Sequence, residues 1–150
     1  MTDLHRNAST IQERLRALGL DIEPRQLDSS ARTAAEAAAS LGTSVGQIVK
    51  SLVFFRGEEP VMVLCAGDRR VDADRLGLRV ANAKEAKAVT GFAIGGIPPL
   101  GHDRPLPTII DESLRRFDIV WAAAGTTHSV FGVEVAALID AIPAAEIVAM

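Results

Sequence analysis

The side chain most at odds with its neighbours is Lys50, which interrupts the apolar run Ile48-Val49 and Leu52-Val53-Phe54-Phe55. A charge inside such a segment must reach solvent, an anion or a cavity, because an unpaired buried charge is costly. Two readings stand open: an edge-strand lysine whose charge blocks aggregation, or an anion-binding lysine at the wall of a pocket. The second candidate is Gly95-Gly96-Ile97-Pro98-Pro99-Leu100-Gly101, the start of a Gly- and Pro-dense loop that runs to Pro107. Glycines let backbone approach a ligand and prolines stiffen it. Such a loop can fix free N–H groups where a carbonyl or oxyanion would sit; it can equally be a rigid surface loop. The third is His128, closing Ala124-Gly125-Thr126-Thr127-His128, either a general base or substrate contact or plain surface. His102 and His5 are weaker candidates, and His5 falls in a terminus expected to fray.

Other chemistries lack their residues. Cys65 is the one cysteine, so neither an internal disulfide nor a cysteine-rich zinc site can form. In Val61-Met62-Val63-Leu64-Cys65-Ala66 it reads as a small buried hydrophobe. There is no His-Glu-x-x-His spacing for a metal, no Gly-x-Ser-x-Gly elbow, and no phosphate-loop or dinucleotide fingerprint. No metal and no cofactor are expected. With no apolar run of about 18 residues, no membrane span is expected; the polar start, Met1 to Arg6, lacks the apolar stretch of a signal peptide. A cytoplasmic location follows as the expectation. The formal net charge of −3 argues against a general nucleic-acid coater, so any such contact must be a local patch. Charge does concentrate between Arg69 and Lys87, where Arg69, Arg70, Arg75, Arg79, Lys84 and Lys87 face Asp72, Asp74 and Glu85. This stretch is either a solvated helical face or a rim that contacts phosphates.

The elements that must position these residues follow from local signals. Ile11, Leu15 and Leu18 carry helical spacing over Ala8–Leu18, with Gly19 as a stop. Residues 21–27 read as extended. Thr33 with Glu36, and Asn82 with Glu85, read as capping boxes for helices ending at Gly42 and Gly91; the first is Ala-rich and suited to close packing. Residues 48–55 and 61–66 read as a hairpin turning at Arg56–Pro60, buried on both faces. Short helices are predicted at 72–76, 111–117 and 134–141, and strands at 92–94, 108–110, 119–123 and 130–133. This irregular mixture argues for α+β with a mixed sheet, in one domain over residues 1–150.

Three signals in this order resemble one family. Val49-Lys50-Ser51-Leu52-Val53-Phe54 looks like its lysine-bearing strand. Ala66-Gly67-Asp68-Arg69-Arg70-Val71-Asp72 looks like its Gly-Asp turn. Thr90-Gly91-Phe92 through Gly101, with Gly101-His102-Asp103-Arg104-Pro105 as the GxxxP element and Leu106–Leu114 as the following strand and acidic turn, resembles its signature loop. The chain is thus similar to the YbaK and prolyl-tRNA-synthetase editing-domain superfamily over roughly Ala31–Ala141. The resemblance implies an α+β fold with a mixed, partly barrel-like sheet flanked by helices. It also implies hydrolysis of the ester that joins a wrong amino acid to the 3′ end of a tRNA, in trans.

Carried over by position, Lys50 matches the lysine near the terminal adenosine or its phosphate. Gly101 matches the glycine whose backbone contacts the substrate carbonyl, and His128 lies one residue from a family histidine. Gly95, Gly96, Ile97, Pro98, Pro99, Ser51 and Asp111 complete the implied substrate-binding set, while Arg69, Arg70, Lys84 and Lys87 are the implied tRNA contacts. The partner expected is the acceptor end of a mischarged tRNA carrying a small residue such as Ala, Ser, Thr or Cys, with an aminoacyl-tRNA synthetase as a possible second partner. The chain departs from the cysteinyl branch, having no Tyr and no aspartate after Gly125, and from the alanyl branch, which has Asn where Ser51 stands. Rival readings remain open: a non-catalytic tRNA-end binding module using the same lysine and basic rim, and an interaction domain whose Gly/Pro loop docks a protein.

Overall fold

The computed structural model describes residues 5–150, so residues 1–4 of the polar start lie outside it. Helix α1 (Arg6–Ala17) buries Ala8, Ile11 and Leu15, and the chain turns away at Gly19 with φ 90°. His5 belongs to this helix rather than to a frayed end: its Nδ1 accepts the Asn7 N–H at 3.0 Å and caps the first turn. Of the segment expected to be extended at 21–27, only β1 (Arg25–Gln26) is paired. Helix α2 (Ala34–Leu41) starts on the Thr33–Glu36 capping box and ends at Gly42 in the left-handed conformation. A 3-10 turn, Val45–Gln47, leads into β2 (Val49–Arg56), which pairs antiparallel with β3 (Glu59–Ala66) along its whole length.

Helix α3 (Ala73–Leu76), β4 (Arg79–Val80) and α4 (Ala83–Thr90) follow, the last opened by the Asn82–Glu85 box. The strand expected at 92–94 is absent. The Thr90 hydroxyl donates to the Ala86 carbonyl at 2.8 Å and accepts the Phe92 N–H at 3.1 Å, which folds the chain into turns there instead. Beyond the loop come β5 (Thr108–Asp111), a 3-10 turn Glu112–Arg116, β6 (Ile119–Ala123), β7 (Ser129–Glu134), α5 (Val135–Asp140) and β8 (Glu146–Val148). The short β4 and β8 carry no alternation long enough to announce them.

The α+β class and the mixed sheet are as the residues imply. One sheet has the order β4-β2-β3-β5-β8, with β5 parallel to β3 and to β8; the other has the order β1-β7-β6 and is antiparallel. The partly barrel-like closure is not found. The two sheets touch through an isolated bridge, Ile48 to Trp121. Past it, β2 takes β4 as partner at Phe54–Val80 while β6 pairs with β7, so the strands diverge rather than close.

β3 lies at the centre and is buried from Pro60 to Ala66. Its alternation divides the core. Met62, Leu64 and Ala66 pack with Ile110, Leu114, Val120, Phe131 and Leu138; Val61 and Val63 pack with Phe54, Leu78 and Ile109 on the other face. At the end of β5, the fully buried Asp111 accepts the Ala66 N–H at 2.9 Å and the Ser113 N–H at 2.8 Å. It thus ties the end of β3 to the 3-10 turn that follows. The Gly/Pro loop is packed inside: Gly96 to Leu100 are all buried. His102 Nε2 is 2.7 Å from the Pro98 carbonyl, with its ring edge-on to Phe92.

Two stability measurements check these contacts. Asp111→Ala leaves the buried Ala66 N–H and the part-buried Ser113 N–H without acceptors, at about 1–3 kcal/mol for the buried group and less for the other. Urea unfolding should show a loss of about 3 kcal/mol, and an unchanged midpoint would contradict the clamp. Burial holds the His102 pKa below its ordinary 6.5, so below about that pH the unfolded chain takes up a proton that the folded ring resists. Stability should therefore be full above about pH 6.5, fall as the pH drops below it, and level off once the folded ring protonates. In His102→Gln the fall between pH 7 and pH 5.5 should flatten.

Candidate active site

Where β2 leaves β6 and has not yet met β4, its edge has no neighbouring strand. A cavity of about 360 Å³ fills this gap, within the size range of small-ligand sites. α2 and its approach supply Arg32, Thr33, Ala34 and Ala37. β2 supplies Val49 to Phe54, β6 supplies Trp121 to Ala123, and the loop after α4 supplies Ile94, Gly95 and Ile97. The alanines of α2 matter here because short side chains leave room. The walls are largely apolar, with Lys50, Ser51, Thr33 and Arg32 as the polar exceptions. Thr33 is already spent on capping, its Oγ1 accepting the Glu36 N–H at 3.1 Å.

Ser51 is not spent. Its hydroxyl oxygen is buried and, among the described residues, has no hydrogen-bond partner. The backbone adds to this. The Val53 carbonyl accepts the Ala81 N–H at 3.0 Å, on the side of β2 away from β3. Alternation along an antiparallel strand turns the N–H and C=O of Ser51 to that same side, where no strand stands. Across the gap, the Gly95 and Ile97 N–H groups have no acceptor among the described residues. Gly95 has φ 90°, and a Cβ there would lie 2.9 Å from Arg32 Cγ; at Gly96 it would lie 2.9 Å from the Thr126 backbone. Glycine at both positions lets the loop seat between Arg32 and the Thr126 turn.

Lys50 is positioned by the Gly67–Arg70 turn. Its ammonium donates to the Arg69 carbonyl at 2.6 Å. That turn is fastened in three ways. The Gly67 N–H donates to the Ile48 carbonyl at 2.8 Å. Gly67 lies so close to Val45 that a Cβ there would collide with the Val45 carbonyl oxygen. Arg116 grips Asp68 with two bonds, at 3.0 and 2.8 Å, and this guanidinium holds the Asp68 carboxyl below the usual range. Opposite Lys50 in the β2–β3 register stands Cys65. Burial pushes its thiol up to about 11, against the pull of the lysine charge and with a push from Asp111. A protonated, fully buried thiol is no nucleophile.

The other expected residues stand elsewhere. Pro98 and Pro99 are buried behind the loop, off the cavity wall. Gly101, at φ 86°, faces α1: its carbonyl accepts Arg14 Nη1 at 3.0 Å, and a Cβ would meet Leu15. Asp111 has both oxygens committed to backbone and does not reach the wall. His128 is exposed on the turn before β7, its Nδ1 3.1 Å from the Thr127 hydroxyl, and is not among the lining residues. Arg69 pairs with Asp68, while Lys84 and Lys87 lie exposed on α4 beside Ile94. Trp121 and the α2 alanines are lining residues not singled out above. A lone tryptophan in a strand and an alanine run both read as core. No group of three or more His, Cys, Asp or Glu that could hold a metal ion occurs among the described residues, and none of their helices is long and apolar enough to cross a membrane.

Comparison with known proteins agrees with this architecture. A crystal structure described as a candidate trans-editing enzyme for prolyl tRNA synthetase superimposes with a TM-score of 0.89 at 39% identity, covering 98% of both chains. YwhH, an uncharacterised protein of Bacillus subtilis (strain 168), is 31% identical over 111 residues, 69% of this chain and 71% of YwhH. EbsC of Enterococcus faecalis (strain ATCC 700802 / V583), described as a candidate Cys-tRNA(Pro)/Cys-tRNA(Cys) deacylase, is 28% identical over 101 residues, 62% of each chain. The profile of the aminoacyl-tRNA editing domain matches residues 28–141, and the chain belongs to that family.

Proposed function

We propose that this chain is an aminoacyl-tRNA deacylase that acts in trans, as one editing domain, on tRNA mischarged with a small uncharged amino acid such as Ala, Ser, Thr or Cys. The observation that carries the reading is the cavity at the open edge of β2, whose lining combines apolar walls, an unpartnered buried hydroxyl, residues with uncommitted backbone donors and a fixed lysine. The apolar walls suit a small neutral side chain and penalise a charged one. The Gly95 and Ile97 N–H groups are donors for the ester carbonyl, and they would strengthen as it becomes a tetrahedral oxyanion. Lys50 supplies a positive charge at the wall for the ribose or phosphate of the terminal adenosine. Ser51 meets a polar atom of the aminoacyl group.

An aminoacyl ester is already activated, so holding a water against a polarised carbonyl provides much of the rate. Among the described residues, no carboxylate or imidazole lines the cavity. The proton of the attacking water therefore passes to the substrate's own groups, its amine or the neighbouring ribose hydroxyl, and leaves with the 3′ oxygen. His128, off the lining, takes no proton in this scheme. The cytoplasm, where tRNA is charged, is the compartment this activity requires. A synthetase that hands over the tRNA fits the same scheme as a partner.

Release of amino acid from Ala-, Ser-, Thr- and Cys-tRNA tests the reading. Lys50→Ala should lower kcat/KM by about a hundredfold, on the order of 2.7 kcal/mol of transition-state stabilisation, while its far-UV spectrum stays unchanged. Cleavage of none of the four, with tRNA still bound, would point to a non-catalytic binder of the tRNA end. Ser51→Ala removes an unsatisfied buried group, so it should hold or raise the melting temperature while kcat/KM falls about tenfold, roughly the loss of one good hydrogen bond. A fall in both together would make Ser51 a packing residue.

A further inference from the structure

The Arg69–Lys87 stretch holds six cations, and the fold separates them. Arg69 is paired with Asp68. Arg75 is held by Asp72 and the Ala149 carbonyl. Arg79 grips both oxygens of Glu85, each at 3.1 Å, and stacks on Phe55. Arg70 is exposed and makes no ion pair among the described residues, and neither do Lys84 and Lys87. The two lysines lie three residues apart on α4, hence on one face. Between and beside them is a shallow apolar depression formed by Ala83, Ala88, Ala93 and Ile94.

That depression adjoins the cavity, since Ile94 lines both. Ile94 is 46% exposed and Val80, also on the cavity wall, is 64% exposed. Large apolar side chains at this exposure usually mark a contact surface when they cluster. Here they cluster at the mouth of an enclosed site with two unpaired cations alongside. An apolar surface beside two lysines can receive single-stranded nucleic acid, a base face burying against the aliphatic side chains and phosphates meeting the charges.

We propose that the 3′ single strand of the tRNA enters the cavity over this face, with a base on the Ile94–Val80 platform and its phosphates on Lys84 and Lys87, rather than over the Arg69–Arg70 turn. The assignment rests on the deacylase reading above for the identity of the strand. Charge favours the α4 path: on the Gly67–Arg70 turn Arg69 is paired with Asp68 and its carbonyl already holds Lys50, which leaves Arg70 as the one cation of the turn without an ion pair among the described residues, whereas α4 presents two such lysines side by side.

The test uses an uncharged RNA hairpin ending in single-stranded CCA, so that it does not depend on turnover. Binding is followed by fluorescence anisotropy across a salt series. Against wild type, Lys84→Glu/Lys87→Glu should lose on the order of tenfold in affinity. Its salt slope should shrink by about 1.4, since each phosphate contact on a single strand contributes about 0.7. Ile94→Ser should weaken binding without changing the slope. Arg104→Glu/Arg115→Glu makes the same charge change at exposed sites away from α4 and should leave affinity within about twofold. Thermal unfolding of each variant confirms that these surface changes leave the fold intact. Loss of affinity in Arg69→Glu/Arg70→Glu with none in the α4 variant would overturn the path, as would equal binding of a blunt hairpin lacking the CCA end. Absence of hydrolysis by wild type on mischarged tRNA would sink the deacylase reading alone, because the binding series stands without it.

Discussion

The structure turns on the incomplete pairing of β2. One edge is fully used, with Val49 to Arg56 paired against β3. The other meets β6 at Ile48 and β4 at Phe54 and Phe55, and between them has no strand. Backbone groups buried without partners are costly, so an open stretch in the middle of a fold has to face water or a ligand. The surrounding residues are arranged to keep it open. α2 presents alanines where larger side chains would fill the gap, and the loop after α4 is packed tightly enough to form a fixed opposite wall.

A second layer of structure serves that edge by fixing Lys50. The charge is not free to search: it sits on the Arg69 carbonyl, and that carbonyl is placed by a turn anchored to Arg116, to Ile48 and against Val45. Asp111 then ties the end of β3, which leads into this turn, to the 3-10 segment carrying Arg116. A buried carboxylate, a close glycine and an ion pair therefore act together on one ammonium group. A preorganised charge of this kind needs little rearrangement when a negative group arrives. The neighbouring Cys65 is kept as a thiol by burial, which leaves the lysine as the reactive charge on that row.

Much of this was readable from residues. Both capping boxes lie where Thr33 and Asn82 place them, because a cap is a local geometry that few residue types satisfy. The β2–β3 hairpin follows from its apolar runs and the turn between them. The strand expected at 92–94 was lost to the Thr90 hydroxyl, a side-chain bond that no hydrophobic period reveals. Lys50, Ser51, Gly95 and Ile97 come together at one cavity, and their common feature in sequence is an interrupted strand and a Gly-Gly step. Gly101 and Asp111, implied as site residues by the resemblance, stand off the cavity wall, one held by α1 and the other by backbone N–H groups, contacts that no local pattern of residues reveals. Trp121 and the alanines of α2 were invisible as site residues because lining a cavity and filling a core call for the same side chains.

The most direct test of the account is a structure of the protein bound to a non-hydrolysable mimic of the substrate, an adenosine whose 3′ oxygen is replaced by an amide nitrogen carrying alanine. The account predicts the alanyl methyl inside the cavity between Ala37, Ile97 and Trp121, the amide carbonyl within hydrogen-bond distance of the Gly95 or Ile97 N–H, and the ribose beside Lys50. Electron density for the mimic on the α1 side of Gly101, with the β2 edge still empty, would contradict it.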